Sequence, residues 1–231
     1  MSRFGSQRTA ATWVFRRGAH RLMCAPCRNR WALGFYSMWA EQQEWVFTMD
    51  DIVRQAMAKW PNVPDCYGWL GLDTRGNWYM RDDRVQSLGP CVGGPPAAKG
   101  SLLLHDKLIA FINRNYMADT QGRWFFQNGP QRVYVELAAT PWIWRVQADY
   151  TLQTHTGMPT TCTTCLTDEQ GWVYLETPLG FGLVHTQDVA LAAEAVETGH
   201  WTVHTVQRSE LATRYGYNTS PATDTQTLHK A

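Results

Sequence analysis

One short phrase occurs three times in this chain and restricts its fold more than any other feature. It reads Asp73-Thr74-Arg75-Gly76-Asn77-Trp78-Tyr79-Met80, then Asp119-Thr120-Gln121-Gly122-Arg123-Trp124-Phe125-Phe126, then Asp168-Glu169-Gln170-Gly171-Trp172-Val173-Tyr174-Leu175. In each copy the Asp side chain can bond its own backbone across a turn, and the Gly three residues later supplies a positive φ. The aromatic and β-branched residues that follow favour a pleated, half-buried surface. The starts lie 46 and 49 residues apart, which reads as a duplicated α/β unit or as a coincidence of turn chemistry.

The rest of the pattern fits around these turns. A helix is predicted over 50–59, ended by Pro61, with strands at 66–72 and 77–82. A Gly/Pro-rich loop spans 89–100, and a long helix follows over 101–116 with Ser101 as its N-cap. Strands at 124–127 and 132–137 flank Asn128-Gly129, a hairpin signal. Further strands are predicted at 142–146, 151–155, 172–176, 182–185 and 201–206. A helix at 188–197 is closed by Gly199, and a short helix starts at Ser209. Antiparallel runs broken by single helices give an α+β fold with internal repeats at about 66–146 and 147–206. The body is read as 49–208. Residues 209–231 are read as a short helix and a disordered tail, loose from Asn218 onward.

Charge is unevenly spread. The 231 residues carry 21 Lys+Arg and 20 Asp+Glu, but residues 1–48 hold seven arginines and two acids, a net of +5. The remainder is therefore −4. Residues 1–48 show no sustained apolar period and are read as an Arg-rich extension, disordered or outside the native protein. An acidic body argues against nucleic acid as a partner, since phosphate binding needs a positive track. No apolar run reaches the ~18–20 residues of a membrane span, and no secretory core is present, so the expected location is cytoplasmic.

Chemistry is sparse. Of six cysteines, Cys24/Cys27 and Cys162/Cys165 form Cys-x-x-Cys pairs, 134 residues apart, too far for one zinc knuckle. Cys162 and Cys165 sit in a Thr-rich loop with His155 nearby and His185 on a neighbouring strand, a candidate zinc set; otherwise no cofactor is expected. His200 and His204 lie on a β-like segment without a third ligand. No nucleophile elbow, phosphate loop or dinucleotide fingerprint is present. The aromatics say more. Trp142, Trp144 and Val146 share one strand face while Ile143 and Arg145 share the other. A Trp face of this kind closes a core or offers a flat platform for a ligand. Gln127, Asn128, Gln131, Arg132 and Trp144 are the candidate ligand-binding residues, their polar groups lying beside aromatics.

The stretch from Gly122-Arg-Trp-Phe-Phe-Gln-Asn-Gly-Pro-Gln-Arg-Val-Tyr-Val-Glu136, with Trp60-Pro-Asn-Val-Pro-Asp-Cys-Tyr-Gly-Trp-Leu-Gly-Leu-Asp73, resembles an uncharacterised proteobacterial family, domain of unknown function 2946. The resemblance covers about 49–200 and implies a start equivalent to Met49. Gly-x-Trp, a helix, Asp-x-x-Gly-x-Trp-Phe and Thr140-Pro141-Trp142 are also similar to a second bacterial unknown-function family. That likeness implies two α/β repeats and a signal-transduction role. Neither resemblance carries catalytic residues. The expectation is a non-catalytic binding or regulatory module for an unknown protein or small molecule. The alternative is a metal protein or hydrolase centred on Cys162, Cys165 and a histidine.

Overall fold

A computed structural model describes residues 49–223; the Arg-rich segment 1–48, with Cys24 and Cys27, and residues 224–231 lie outside the described residues. All three Asp turns form with the same bonds. Oδ1 of Asp73 accepts the N–H groups of Arg75 and Asn77, Asp119 those of Gln121 and Arg123, and Asp168 those of Gln170 and Trp172, all at 2.8–3.0 Å. Each Gly N–H closes the turn onto the Asp carbonyl. Gly76, Gly122 and Gly171 sit at φ +79°, +72° and +80°, a region that an L side chain rarely enters.

Helix α1 (Asp51–Lys59) leads into β1 (Cys66–Leu72) and β2 (Trp78–Met80). Then come α2 (Asp83–Gln86), a 3-10 turn (Pro96–Lys99), β3 (Ser101–Leu102), α3 (Asp106–Arg114), β4 (Tyr116–Ala118), β5 (Trp124–Asn128) and β6 (Gln131–Leu137). The second half holds β7 (Trp142–Val146), β8 (Leu152–Thr154), β9 (Pro159–Thr160), β10 (Thr164–Thr167), β11 (Val173–Thr177) and β12 (Gly180–Val184). It ends with α4 (Val189–Glu197), β13 (Val203–Thr205), a 3-10 turn (Arg208–Glu210) and α5 (Leu211–Arg214).

The fold is α+β, and its two sheets share one wiring. The first runs β3-β2-β1-β6-β5-β4 and the second, read from its far edge, β9-β8-β7-β12-β11-β10, with β13 added. Pair directions match as well: β1 lies parallel to β6 and β7 parallel to β12, while the hairpin pairs are antiparallel in both. The division between halves therefore falls at 138–141. Trp142–Val146, expected to close the first repeat, opens the second, because its partner is β12. Only Asp119 and Asp168 occupy equivalent places, each joining the fourth strand of its half to the fifth. The Asp73 turn joins the first strand to the second, where the second half uses Gln147–Thr151 with Tyr150 at φ 62°.

Three local expectations change. Residues 101–102 pair with β2 instead of starting a helix, Tyr79 facing Leu102 and Met80 facing Ser101. Helix α3 begins at Asp106 and is capped by His105, whose Nδ1 accepts the Leu108 N–H at 3.2 Å, so Ser101 is not the cap. The Thr-rich loop contains β10, held between β11 and β13. The chain past Asn218 is engaged too: Leu137 donates its N–H to the Thr219 carbonyl, and Asn218 bridges to Arg123. The pairings of 101–102 with β2, of β10 with β13 and of the tail with Leu137 and Arg123 are non-local, joining residues more than twenty positions apart.

One core joins the two sheets. Leu72, Trp78, Tyr116 and Leu137 of the first meet Trp142, Trp144 and Val146 of the second. Each buried indole N–H finds an acceptor: Trp78 on Asn113 Oδ1, Trp142 on the Leu179 carbonyl and Trp144 on the Leu175 carbonyl, at 2.9–3.1 Å. Ile143 points the other way, into a smaller cluster with Leu166, Tyr174, Phe181 and Leu183 that Leu211 closes.

Candidate functional site

The inner face of the first sheet is longer than its cover. Leu70, Leu72, Trp78, Met80, Phe126, Val133 and Val135 align on it through the registers Leu70–Met80, Leu72–Trp78, Phe126–Val133 and Leu70–Val135. At one end the second sheet closes this face. Toward the other end α3 packs on it, and nine residues make a rod of only ~13 Å. A groove of about 440 Å³ remains between α3 and the sheet, walled by Leu70, Met80, Leu108, Ile112, Phe126 and Val133. Cys66, Trp69, Asn128 and Gln131 complete its lining. Gly68, at φ +76°, lies within the register shift of β1 between Cys66 and Leu70, and next to it Trp69 is turned partly outward. Trp69 is 38% exposed and Met80 46%, with Leu102 and Leu104 also exposed. Burial pushes the Cys66 thiol up, aided by Asp83, so at neutral pH it is a thiol and not a nucleophile.

The five residues read from sequence as ligand-binding do not form one surface. Asn128 and Gln131 face each other across the β5–β6 pair and both line the groove, Gln131 also donating to the Pro64 carbonyl at 3.1 Å. Gln127 and Arg132 form the adjacent pair and point to the opposite face. There Arg132 lies over the Phe125 ring, 4.9 Å from its centroid. Gln127 is buried, its Nε2 donating to the Gly129 carbonyl at 2.8 Å and its Oε1 lacking a partner. Trp144 has no exposed surface, so the proposed aromatic platform is core.

The candidate zinc set is not assembled either. Among the described residues no three His, Cys, Asp or Glu side chains converge in a way that could hold a metal ion. Cys165 is packed in the shared core with Cys162 beside it, and burial pushes their thiols up to about 11 and about 12. A thiolate, the form zinc needs, is thereby disfavoured. His185 stands at the end of β12, where its Nδ1 accepts the Gln187 N–H at 3.1 Å. His155 lies inside an aromatic box, its ring 5.6–5.7 Å from the rings of Trp78, Tyr116 and Trp142. Its Nδ1 accepts the Ile143 N–H at 3.3 Å, which places the proton on Nε2, a buried atom with no partner. Desolvation lowers its pKa to about 3, so it stays neutral.

A family model described as "Protein of unknown function (DUF2946)" matches residues 49–222. The chain belongs to that family. Every residue that lines the groove falls inside the matched span of this family member. No curated protein matches the chain. A crystal structure of a DUF1285 family protein from Silicibacter pomeroyi DSS-3 is similar at 11% identity and a TM-score of 0.38, covering 58% of this chain and 72% of that one. A likeness so low transfers no residue roles.

Sequence reading missed most of the groove: Cys66, Trp69, Met80, Leu108 and Ile112. One local signal was present, the glycine inside the apolar run Tyr67-Gly68-Trp69-Leu70, since Gly within a strand marks a bulge. Nothing local shows that α3 stops short of the sheet's end.

Proposed function

We propose that this DUF2946 family member is a non-catalytic binding module, acting in the bacterial cytoplasm, that takes an apolar segment of a partner polypeptide into the groove between α3 and the first sheet. The observation that carries the reading is the open apolar groove itself, with Trp69 and Met80 exposed on its wall and the amides of Asn128 and Gln131 on its lining. Contiguous exposed apolar surface with polar groups at its edge is the anatomy of an interaction site. Trp and Met supply large contact area there, and two amides are enough to orient a backbone. Among the described residues no helix is long and apolar enough to cross a membrane. The acidic balance of residues 49–231 disfavours nucleic acid in the groove.

A displayed library of random peptides tests this. Peptides selected on the wild-type protein should share bulky apolar positions and should lose at least tenfold in affinity for Met80→Lys, which sits at an exposed position. They should bind Arg132→Ala as before, because that side chain is on the opposite face. Equal binding to Met80→Lys would overturn the assignment of the groove.

A further inference from the structure

Two of the three Asp turns meet at a second cavity, of about 330 Å³, which shares no lining residue with the groove. Thr74 comes from the Asp73 turn of the first half, and Gly171 and Trp172 from the Asp168 turn of the second. Val173 of β11, Leu183 and Val184 of β12, Thr186 and, at the start of α4, Val189 complete the wall. Each turn is held by its own Asp, the Arg75 N–H on Asp73 at 2.9 Å and the Trp172 N–H on Asp168 at 2.8 Å. The Trp172 ring is fixed further by the Arg208 guanidinium, 3.7 Å from its centroid. Arg208 is itself anchored, donating its side chain to Gln170 Oε1 at 2.6 Å and its backbone N–H to Glu169 at 3.0 Å.

No residue that lines this cavity is charged. Among the described residues, the hydroxyls of Thr74 and Thr186 and the indole N–H of Trp172 make no hydrogen bond within the protein. The rest of the lining is aliphatic or glycine. A carboxylate, ammonium or phosphate would lose its water here without gaining a counter-charge. A sugar would bring more hydroxyls than three polar groups can satisfy, and each one left unpaired weakens binding. A flat apolar body with one or two polar atoms fits, because a ring held in place by Arg208 offers an aromatic partner either stacked or edge-on contact. We propose that the cavity binds an uncharged aromatic small molecule, its ring against Trp172 and its polar atom on the threonine hydroxyls. The volume stands at the lower end of the ~300–1,000 Å³ range of small-ligand sites, which limits the molecule to one or two rings. Thr74 belongs to one half and the other lining residues to its counterpart, so an occupied cavity bridges the two.

The test is a melting-temperature and calorimetric titration of the full chain with phenol, indole, benzoate and glucose. Phenol or indole should bind saturably and raise the melting temperature. Benzoate, the same ring as phenol with a charge, should bind at least about tenfold more weakly, and glucose should have no effect. Trp172→Leu should weaken the bound probe about tenfold, and Val189→Phe, which fills the cavity, should abolish its binding. Thr186→Val removes one hydroxyl at an exposed position and should weaken the probe about fivefold. It keeps the test decisive if the Trp172 or Val189 variant fails to fold. An absence of response to both phenol and indole, benzoate binding as tightly as phenol, or binding unchanged in Thr186→Val or Val189→Phe would overturn the proposal. Met80→Lys should respond as wild type, so the outcome is separate from that of the groove.

Discussion

At the scale of single residues, the three aspartates do the work that hairpin loops elsewhere leave to glycine pairs. Asp168 is the most demanding case, since its side chain is fully buried and its Oδ2 also accepts the Tyr174 hydroxyl at 2.8 Å. Asp168→Ala removes the acceptor of two backbone N–H groups and one hydroxyl, and should cost about 2–4 kcal/mol in urea unfolding. Asp73 and Asp119 add a pH dependence. Burial by itself raises the Asp73 carboxyl, but the N–H groups of Asn77 and Arg75, the Asn77 amide and Lys99 outweigh it and hold it low. Asp119 is held low against burial chiefly by Arg123. Carboxyls lowered in the folded state contribute stability that is present above ~3.9 and lost as pH falls through the lower folded value. In Asp73→Asn the loss of stability in that acid window should be smaller than in wild type. His155 acts in a higher window. Its pKa falls from 6.5 to about 3 on folding, so between those values the unfolded chain binds the extra proton. Stability should fall by up to ~1.4 kcal/mol per pH unit as pH drops below 6.5. His155→Phe should flatten that slope, at a constant cost of about 1–3 kcal/mol for the Ile143 N–H left without its acceptor.

At the scale of elements, the close approach of β12 to β7 depends on Gly182. A Cβ there would meet the Trp142 carbonyl at 2.5 Å and Trp144 Nε1 at 2.6 Å. Both belong to groups that are fixed, one by the strand and the other by its bond to the Leu175 carbonyl. Gly182→Ala should therefore cost about 1–3 kcal/mol and weaken protection of the β7 and β12 amides in hydrogen exchange. Most elements were legible in the sequence. The strand from Trp142 reads correctly as an alternating face because period-two burial is local. Helix α3 does not. Leu102 and Leu103 continue its apolar pattern backwards, yet the edge of β2 takes residues 101–102 as a strand, since an unpaired edge offers hydrogen bonds that a helix N-terminus lacks. The candidate sites failed in a related way. Asn128 and Gln131 both line the groove, but Gln127 and Arg132 alternate to the other side, and Trp144 belongs to a different sheet.

At the scale of the whole molecule, two sheets of the same wiring share one interior. Trp78 and Tyr116 from one pack with Trp142 from the other around His155. Neither half can bury its aromatic face alone. The chain should consequently unfold in a single transition, with tryptophan fluorescence and far-ultraviolet circular dichroism giving coincident urea curves. Two separated midpoints would show that the halves fold independently. Residues 49–141 made alone should lack the cooperative transition.

By itself the sequence determined the turns, the alternation of the strands, the α+β class and the absence of a strongly basic body. Each of these is set by neighbours a few residues apart, through side-chain bonds to the local backbone and the period of burial. Tertiary structure decided the rest. The parallel pairings of β1 with β6 and β7 with β12 create the repeat, the shortness of α3 opens the groove, and the meeting of the Asp73 and Asp168 turns beside β12 and α4 walls the second cavity. Those features join residues tens of positions apart, and their energies exist only once both partners have been brought together.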